Sequence, residues 1–295
     1  MRVIRFHLVL IFVALLDLSA FAQGKVYEVP FDFYKNEVIA EVTINGHGPL
    51  NMMLDTGTDP SAIDLKTAEA IGIQHSKKGS QGDGGGTDKN PTYDCKFDTL
   101  QIGGLVANNV DAMAIDLSKI SERLGHHIDG VLGYSLFAKR VVQFDYPAGV
   151  VRFFDAMPRA KDPNAVTLKF DYKDNVLIRD VTINGKPAVA NLDTGSSGMF
   201  SMSPKGVDSL GLAEVAAKGT VKTSVGYNGN FENHLGVLDI VKVGSLSATA
   251  APTTFFAKGT GHDKVPWDVN IGNLFFKDYV VTFDYTTKMV RFEKP

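Results

Sequence analysis

Asp-Thr-Gly occurs twice in this chain, as Asp55-Thr56-Gly57 and Asp193-Thr194-Gly195, each time at the end of an apolar run. An aspartate on a tight turn is a positioned carboxylate. Two of them, delivered by similar segments, can meet and share one proton. One then serves as base and the other as acid, which is what activating a water molecule for peptide-bond hydrolysis requires. Gly57 and Gly195 permit the tight turns. Thr56 and Thr194 are suited to bond across the junction between the two segments. Thr58 and Ser196 are suited to bond the carboxylates without adding charge.

The elements that must place these groups are themselves duplicated. Val42-Thr43-Ile44-Asn45-Gly46 returns 139 residues later as Val181-Thr182-Ile183-Asn184-Gly185. The same offset relates Gly133 to Gly272, Phe144-Asp145-Tyr146 to Phe283-Asp284-Tyr285, and Arg152-Phe153 to Arg291-Phe292. A period of that length is a lobe, too long for a solenoid or propeller unit. Residues 38–44 and 176–183 read as strands with a polar face. Asn45-Gly46 and Asn184-Gly185 read as hairpin turns, and Pro147-Ala148-Gly149 and Thr286-Thr287-Lys288 join further hairpins. Short helices are predicted at 65–71, 116–124 and 204–210, with Gly72 and Gly211 as stops. The pattern is all-β with few helices. Residues 155–164, with two prolines and several charges, separate the halves. The expected division is a leader at 1–22, a first lobe at 23–157, a linker at 158–165 and a second lobe at 166–295.

Net charge is −3 in 295 residues, with no long basic run, so nothing points to nucleic acid. Arg2 and Arg5 precede an apolar stretch from Leu8 to Leu16, and Ala20-Phe21-Ala22 fits a cleavage site for export. The apolar run is short for a membrane span, so the cleaved chain is expected to be free of the membrane and periplasmic or secreted. Cys95 is the single cysteine and cannot form an internal disulfide.

The segments Leu54-Asp55-Thr56-Gly57-Thr58 and Leu192-Asp193-Thr194-Gly195-Ser196, with Val131-Leu132-Gly133 and Asn270-Ile271-Gly272, resemble the pepsin-like, two-lobed aspartic proteases. The likeness is strongest to their compact bacterial exported relatives. Asn270 stands where the family pattern is apolar. The resemblance implies two β-barrel-like lobes, Asp55 and Asp193 as the catalytic pair, a peptide or protein substrate held extended, a monomer, and no metal or organic cofactor. It also implies a flap from the first lobe, here 79–95, with a tyrosine near its tip. Tyr93 is the tyrosine there, Gly84 and Gly85 lie in its Gly-rich part, and Tyr227 occupies the corresponding second-half stretch. These four are the expected substrate-binding residues.

Other chemistries fit less well. The Gly-rich run 82–86 lacks the Gly-Lys-Ser/Thr ending of a phosphate loop. Asp83 and Asp88 make one irregular copy of a calcium pattern. His126-His127 lack companions at metal-ligand spacing and read as a surface pair. Cys95 reads as a small, partly buried strand residue. A lobe pair that captures peptides without cutting them is the alternative to an enzyme.

Overall fold

The computed structural model describes residues 25–82 and 84–295. The leader segment and Asp83 lie outside the described residues. The first half holds strands β1 (Tyr27–Pro30), β2 (Asp32–Tyr34), β3 (Glu37–Ile44), β4 (His47–Leu54), β5 (Ser61–Asp64), β6 (Ser80–Gln81), β7 (Pro91–Ile102), β8 (Leu105–Ile115), β9 (Gly130–Leu132), β10 (Val141–Asp145) and β11 (Val150–Phe154). Its helices are α1 (Leu65–Ala70), α2 (Ser118–Leu124) and α3 (Tyr134–Phe137). The second half holds β12 (Val166–Tyr172), β13 (Val176–Ile183), β14 (Lys186–Leu192), β15 (Phe200–Met202), β16 (Thr220–Gly226), β17 (Gly229–Val243), β18 (Leu246–Phe256), β19 (Val269–Ile271), β20 (Val280–Asp284) and β21 (Met289–Glu293). Its helices are α4 (Pro204–Leu210), α5 (Ala213–Ala217) and α6 (Asn273–Phe276).

Each half closes a ring of pairings. In the first, strands run β3-β4-β9-β5-β8-β7, and β7 pairs back onto β3. In the second the order is β13-β14-β19-β15-β18-β17, with β17 back on β13. The Asn-Gly turns act as read. Asn45 and Gly46 have φ of 52° and 81°, Asn184 and Gly185 50° and 81°. Two successive positive φ values match the right-handed twist of the flanking strands.

A further sheet, β1-β11-β10-β20-β21-β12, is built by both halves together. At its centre Gln143 faces Thr282, and its side-chain amide donates to the Thr282 hydroxyl at 2.9 Å. These two residues are 139 apart. An antiparallel pair in which a residue meets its own counterpart is what a two-fold relation between the halves produces. The core on either side is aromatic, with Phe97, Phe137, Phe144, Phe153, Phe276, Phe283 and Phe292 fully enclosed. Each such side chain contributes about 1.5–3 kcal/mol of burial free energy.

Helix α4 occupies the stretch read from sequence. Ser203 caps it by accepting from Gly206 N, Pro204 opens it, and Gly211 ends it in the left-handed region. One detail differs from the reading. Residues 38–40 and 176–178 are buried on both faces, without alternation, because the starts of β3 and β13 are enclosed. The linker is held in place: Arg291 donates to Pro158 O and Lys161 N donates to Glu293, both at 2.7 Å.

Candidate active site

Each Asp-Thr-Gly loop leaves the end of a strand, β4 or β14, and rests on the element that follows β9 or β19. Asp55 N donates to Leu132 O and Asp193 N to Ile271 O, both at 2.9 Å. Tyr134 N reaches Thr58 O at 2.9 Å and Asn273 N reaches Ser196 O at 2.8 Å. Gly133 and Gly272 sit beneath these loops. A Cβ on Gly133 would lie 2.1 Å from Thr58 O, and one on Gly272 2.4 Å from Ser196 O. The Gly in each downstream element is thus a space requirement.

The two threonines join the loops across the junction. Thr56 Oγ1 donates to Leu192 O at 2.9 Å and accepts from Thr194 N at 3.0 Å. Thr194 Oγ1 donates to Leu54 O at 2.8 Å and accepts from Thr56 N at 3.0 Å. All four bonds are buried.

This arrangement sets Asp55 and Asp193 side by side: a Cβ on Gly57 would lie 3.0 Å from Asp193 Oδ1 and 3.1 Å from Asp55 Oδ1. Asp55 Oδ1 accepts from Gly57 N and its Oδ2 from the Thr58 hydroxyl, both at 2.6 Å. Asp193 Oδ1 accepts from Gly195 N at 2.9 Å. Its Oδ2 does not receive Ser196, as the sequence suggested. It accepts from the Asn270 side-chain amide at 2.7 Å. The Ser196 hydroxyl lies against Gly272 instead, where an added Cβ would come within 2.8 Å of it. Asn270 was visible in the sequence only as a break in an apolar pattern. The pair titrates as a unit: burial, then the charge of Asp55 beside Asp193, holds one of its protons well above the usual carboxylate range.

A third carboxyl stands nearby and had no sequence signal. Glu37, at the start of β3, is 1 % exposed. Arg123 of α2 donates to its Oε1 at 2.6 Å. Burial pushes Glu37 up to about 7 from 4.5, against the pull of Arg123 and with some help from Asp55. Its folded-state value exceeds its unfolded one. The stability it contributes is therefore complete below pH 4.5 and is lost as pH rises through about 7. The size is about 3 kcal/mol. Urea unfolding of the wild type is expected to show that loss between pH 4.5 and 7.5, and a Glu37→Gln variant is expected to lack it. Equal pH dependence in the two proteins would contradict the assignment.

Above the dyad, the Gly-rich segment, read from sequence as part of a flap, is hydrogen-bonded to the other half. It is clasped to the β16–β17 hairpin tip of the other half. Asn228 N donates to Gly85 O at 2.9 Å, Asp88 N to Asn228 O at 2.8 Å, and Gly86 N to Thr260 O at 3.0 Å. The Asn228 amide adds bonds to Gly82 O and Gly84 O. Glycine permits the approach: a Cβ on Gly86, at φ +123°, would lie 2.1 Å from the Asn228 carbonyl. Gly84 lies against the Tyr227 ring, and Gly85 against Phe231 and His262.

A tyrosine from the second half reaches the hydroxyl that holds Asp55. The Tyr227 hydroxyl is 3.3 Å from Thr58 Oγ1, and its ring packs with Val225 on a first-half cluster that includes Ile39, Met53 and Ile120. Burial, and then the charge of Asp55, raise Tyr227 far above its ordinary value, so it stays protonated. Tyr93 sits elsewhere, on β7, with its ring 5.2 Å from that of His75 and close to Gly79.

The remaining candidates have ordinary settings. His126 and His127 are exposed, and His127 meets Asp129 at 3.1 Å. Asp88 is paired with Lys119. Cys95 is buried on β7, and burial pushes its thiol up to about 11. Among the described residues no helix is long and apolar enough to cross a membrane.

A family model described as "Aspartyl protease" matches the chain twice, over residues 40–136 and 179–273. Each match contains one Asp-Thr-Gly loop and the Gly element beneath it. No curated protein matches the chain.

Proposed function

The chain belongs to the aspartyl protease family, and on that premise we propose that it is an exported, monomeric endopeptidase whose water-activating pair is Asp55 and Asp193. The observation that carries this reading is the pair itself: two carboxyls side by side, each fixed by a backbone amide and one side-chain donor. With one proton between them, the ionised member removes a proton from a water molecule as its oxygen adds to the scissile carbonyl carbon. The protonated member gives its proton to the carbonyl oxygen. Collapse of the resulting diol transfers a proton to the leaving nitrogen and breaks the C–N bond, and the pair regains its single proton. Export is supported by Arg2, Arg5, the apolar run 8–16 and Ala20-Phe21-Ala22. Substrate lies extended below the Gly-rich segment, with Gly84, Gly85 and Tyr227 the nearest groups to it.

A second reading, in which the lobes capture peptide without cutting it, is supported by the Gly-rich flap, whose sequence departs from that of the pepsin-like proteases. The test is digestion of denatured casein by the chain lacking residues 1–22, across pH 3–7, with and without a statine-type transition-state mimic. Cleavage blocked by the mimic is expected. Tight peptide binding without cleavage of any protein would replace this reading with the second.

A further inference from the structure

The two carboxylates are not held alike. At Asp55, Oδ2 meets a hydroxyl, that of Thr58. At Asp193 it meets an amide NH2, that of Asn270. A hydroxyl can turn and either donate or accept, but an amide nitrogen only donates. The position that matches Asn270 in the first half is Val131, 139 residues earlier, so the difference is written in the sequence.

Which end of Asn270 faces Asp193 is fixed from the backbone. Val176 N–H donates to Asn191 Oδ1 at 3.0 Å, so Asn191 must present its NH2 on the other side. That NH2 donates to Asn270 Oδ1 at 2.7 Å, which leaves the Asn270 NH2 to point at Asp193 Oδ2. Asn191 and Asn270 are both buried, so solvent does not compete for these groups. The chain Val176, Asn191, Asn270, Asp193 runs in one direction only. On the other side, Thr58 is within 3.3 Å of the Tyr227 hydroxyl and can reverse.

Resting on the hydrolytic reading of the pair, we propose that Asn270 is a positioning residue: its one-way donation keeps Oδ2 of Asp193 unprotonated. Asp193 is thereby the base that takes the water proton. Asp55, whose Oδ2 faces a reversible hydroxyl, is the acid that carries the shared proton. The titratable groups around the pair are Glu37 from β3 and the tyrosines 146, 227 and 285. Burial holds all three tyrosines protonated. Glu37, paired with Arg123, changes charge near 7, above the acid limb that Asn270 controls.

The test is the pH profile of peptide cleavage by Asn270→Leu and Asn270→Asp beside the wild type, with thermal unfolding to confirm each fold. Donation to an ionised carboxylate lowers its pKa. Asn270→Leu is therefore expected to move the acid limb of kcat/KM upward by about one pH unit, with kcat down about tenfold or more and KM nearly unchanged. Asn270→Asp keeps the shape and the acceptor for Asn191, but donates only while protonated. It is expected to retain activity at the acid end and lose it steeply as pH rises. Profiles that fall by one factor at every pH, with no limb displaced in either variant, would overturn the proposal and leave hydrolysis standing. A wild type that cleaves nothing would overturn both.

Discussion

Asp55→Asn and Asp193→Asn are each expected to lose about 10^3–10^4-fold in kcat/KM on a peptide substrate. Asparagine keeps the shape and still accepts from Gly57 N or Gly195 N, but it can neither take nor give the catalytic proton. A loss of that size corresponds to about 4–5.5 kcal/mol of transition-state stabilisation. The two losses are not additive, because the carboxylates act as one unit, so the double variant is expected to be little worse than either single one. Thermal unfolding of Asp55→Asn is expected to be unchanged or raised, since removing one of two adjacent buried carboxyls relieves their repulsion, whereas Asp193→Asn sets its new NH2 against the Asn270 NH2 and is expected to offset that gain. Either variant retaining activity within tenfold of the wild type would remove that aspartate from the reaction.

Thr56→Val and Thr194→Val carry the largest expected effect on stability. The substitution keeps the volume and deletes one hydroxyl. Thr56→Val leaves Leu192 O without its donor and Thr194 N without its acceptor, both in the buried junction between the halves. Thr194→Val does the same to Leu54 O and Thr56 N. Each stranded group costs about 1–3 kcal/mol, so a loss of about 2–6 kcal/mol per variant is expected in urea unfolding. Thr56→Ser, which keeps the hydroxyl, is expected to lose far less. Losses below 1 kcal/mol for both valine variants would show that the halves are held elsewhere, with the shared sheet the first place to look.

What the sequence disclosed follows from what repeats. The meeting of Asp55 with Asp193 was legible because the flanking turns and the glycines at 133 and 272 keep one register, and a two-fold relation places equivalent residues opposite one another. The turns at Asn45-Gly46 and Asn184-Gly185, and helix α4 with its cap, were legible because their conformations are set by adjacent residues. Helices α3 and α6 were missed because four residues are too few to display a helical period. Glu37 and the clasp were illegible for another reason. Glu37 is buried by contacts such as that with Arg123, 86 positions away, and Asn228 reaches Gly82 across 146. Asn270 lies between these cases. Its departure from the pattern was visible, but its target was fixed only by Asn191, 79 positions earlier.

The clasp between Gly85–Asp88 and Asn228 turns the resting protein into an equilibrium problem for any substrate. Three main-chain hydrogen bonds hold it shut, two to Asn228 and one to Thr260, worth about 3 kcal/mol together at a typical net value. If substrate binds only after those bonds open, its observed affinity is its intrinsic affinity multiplied by the open fraction, a reduction of about a hundredfold. A ligand regains part of that by offering its own backbone to the same donors and acceptors, as an extended strand does and a folded surface does not. Selection for unfolded polypeptide is then set by the edge of Gly85 and Gly86 before any side-chain pocket is consulted.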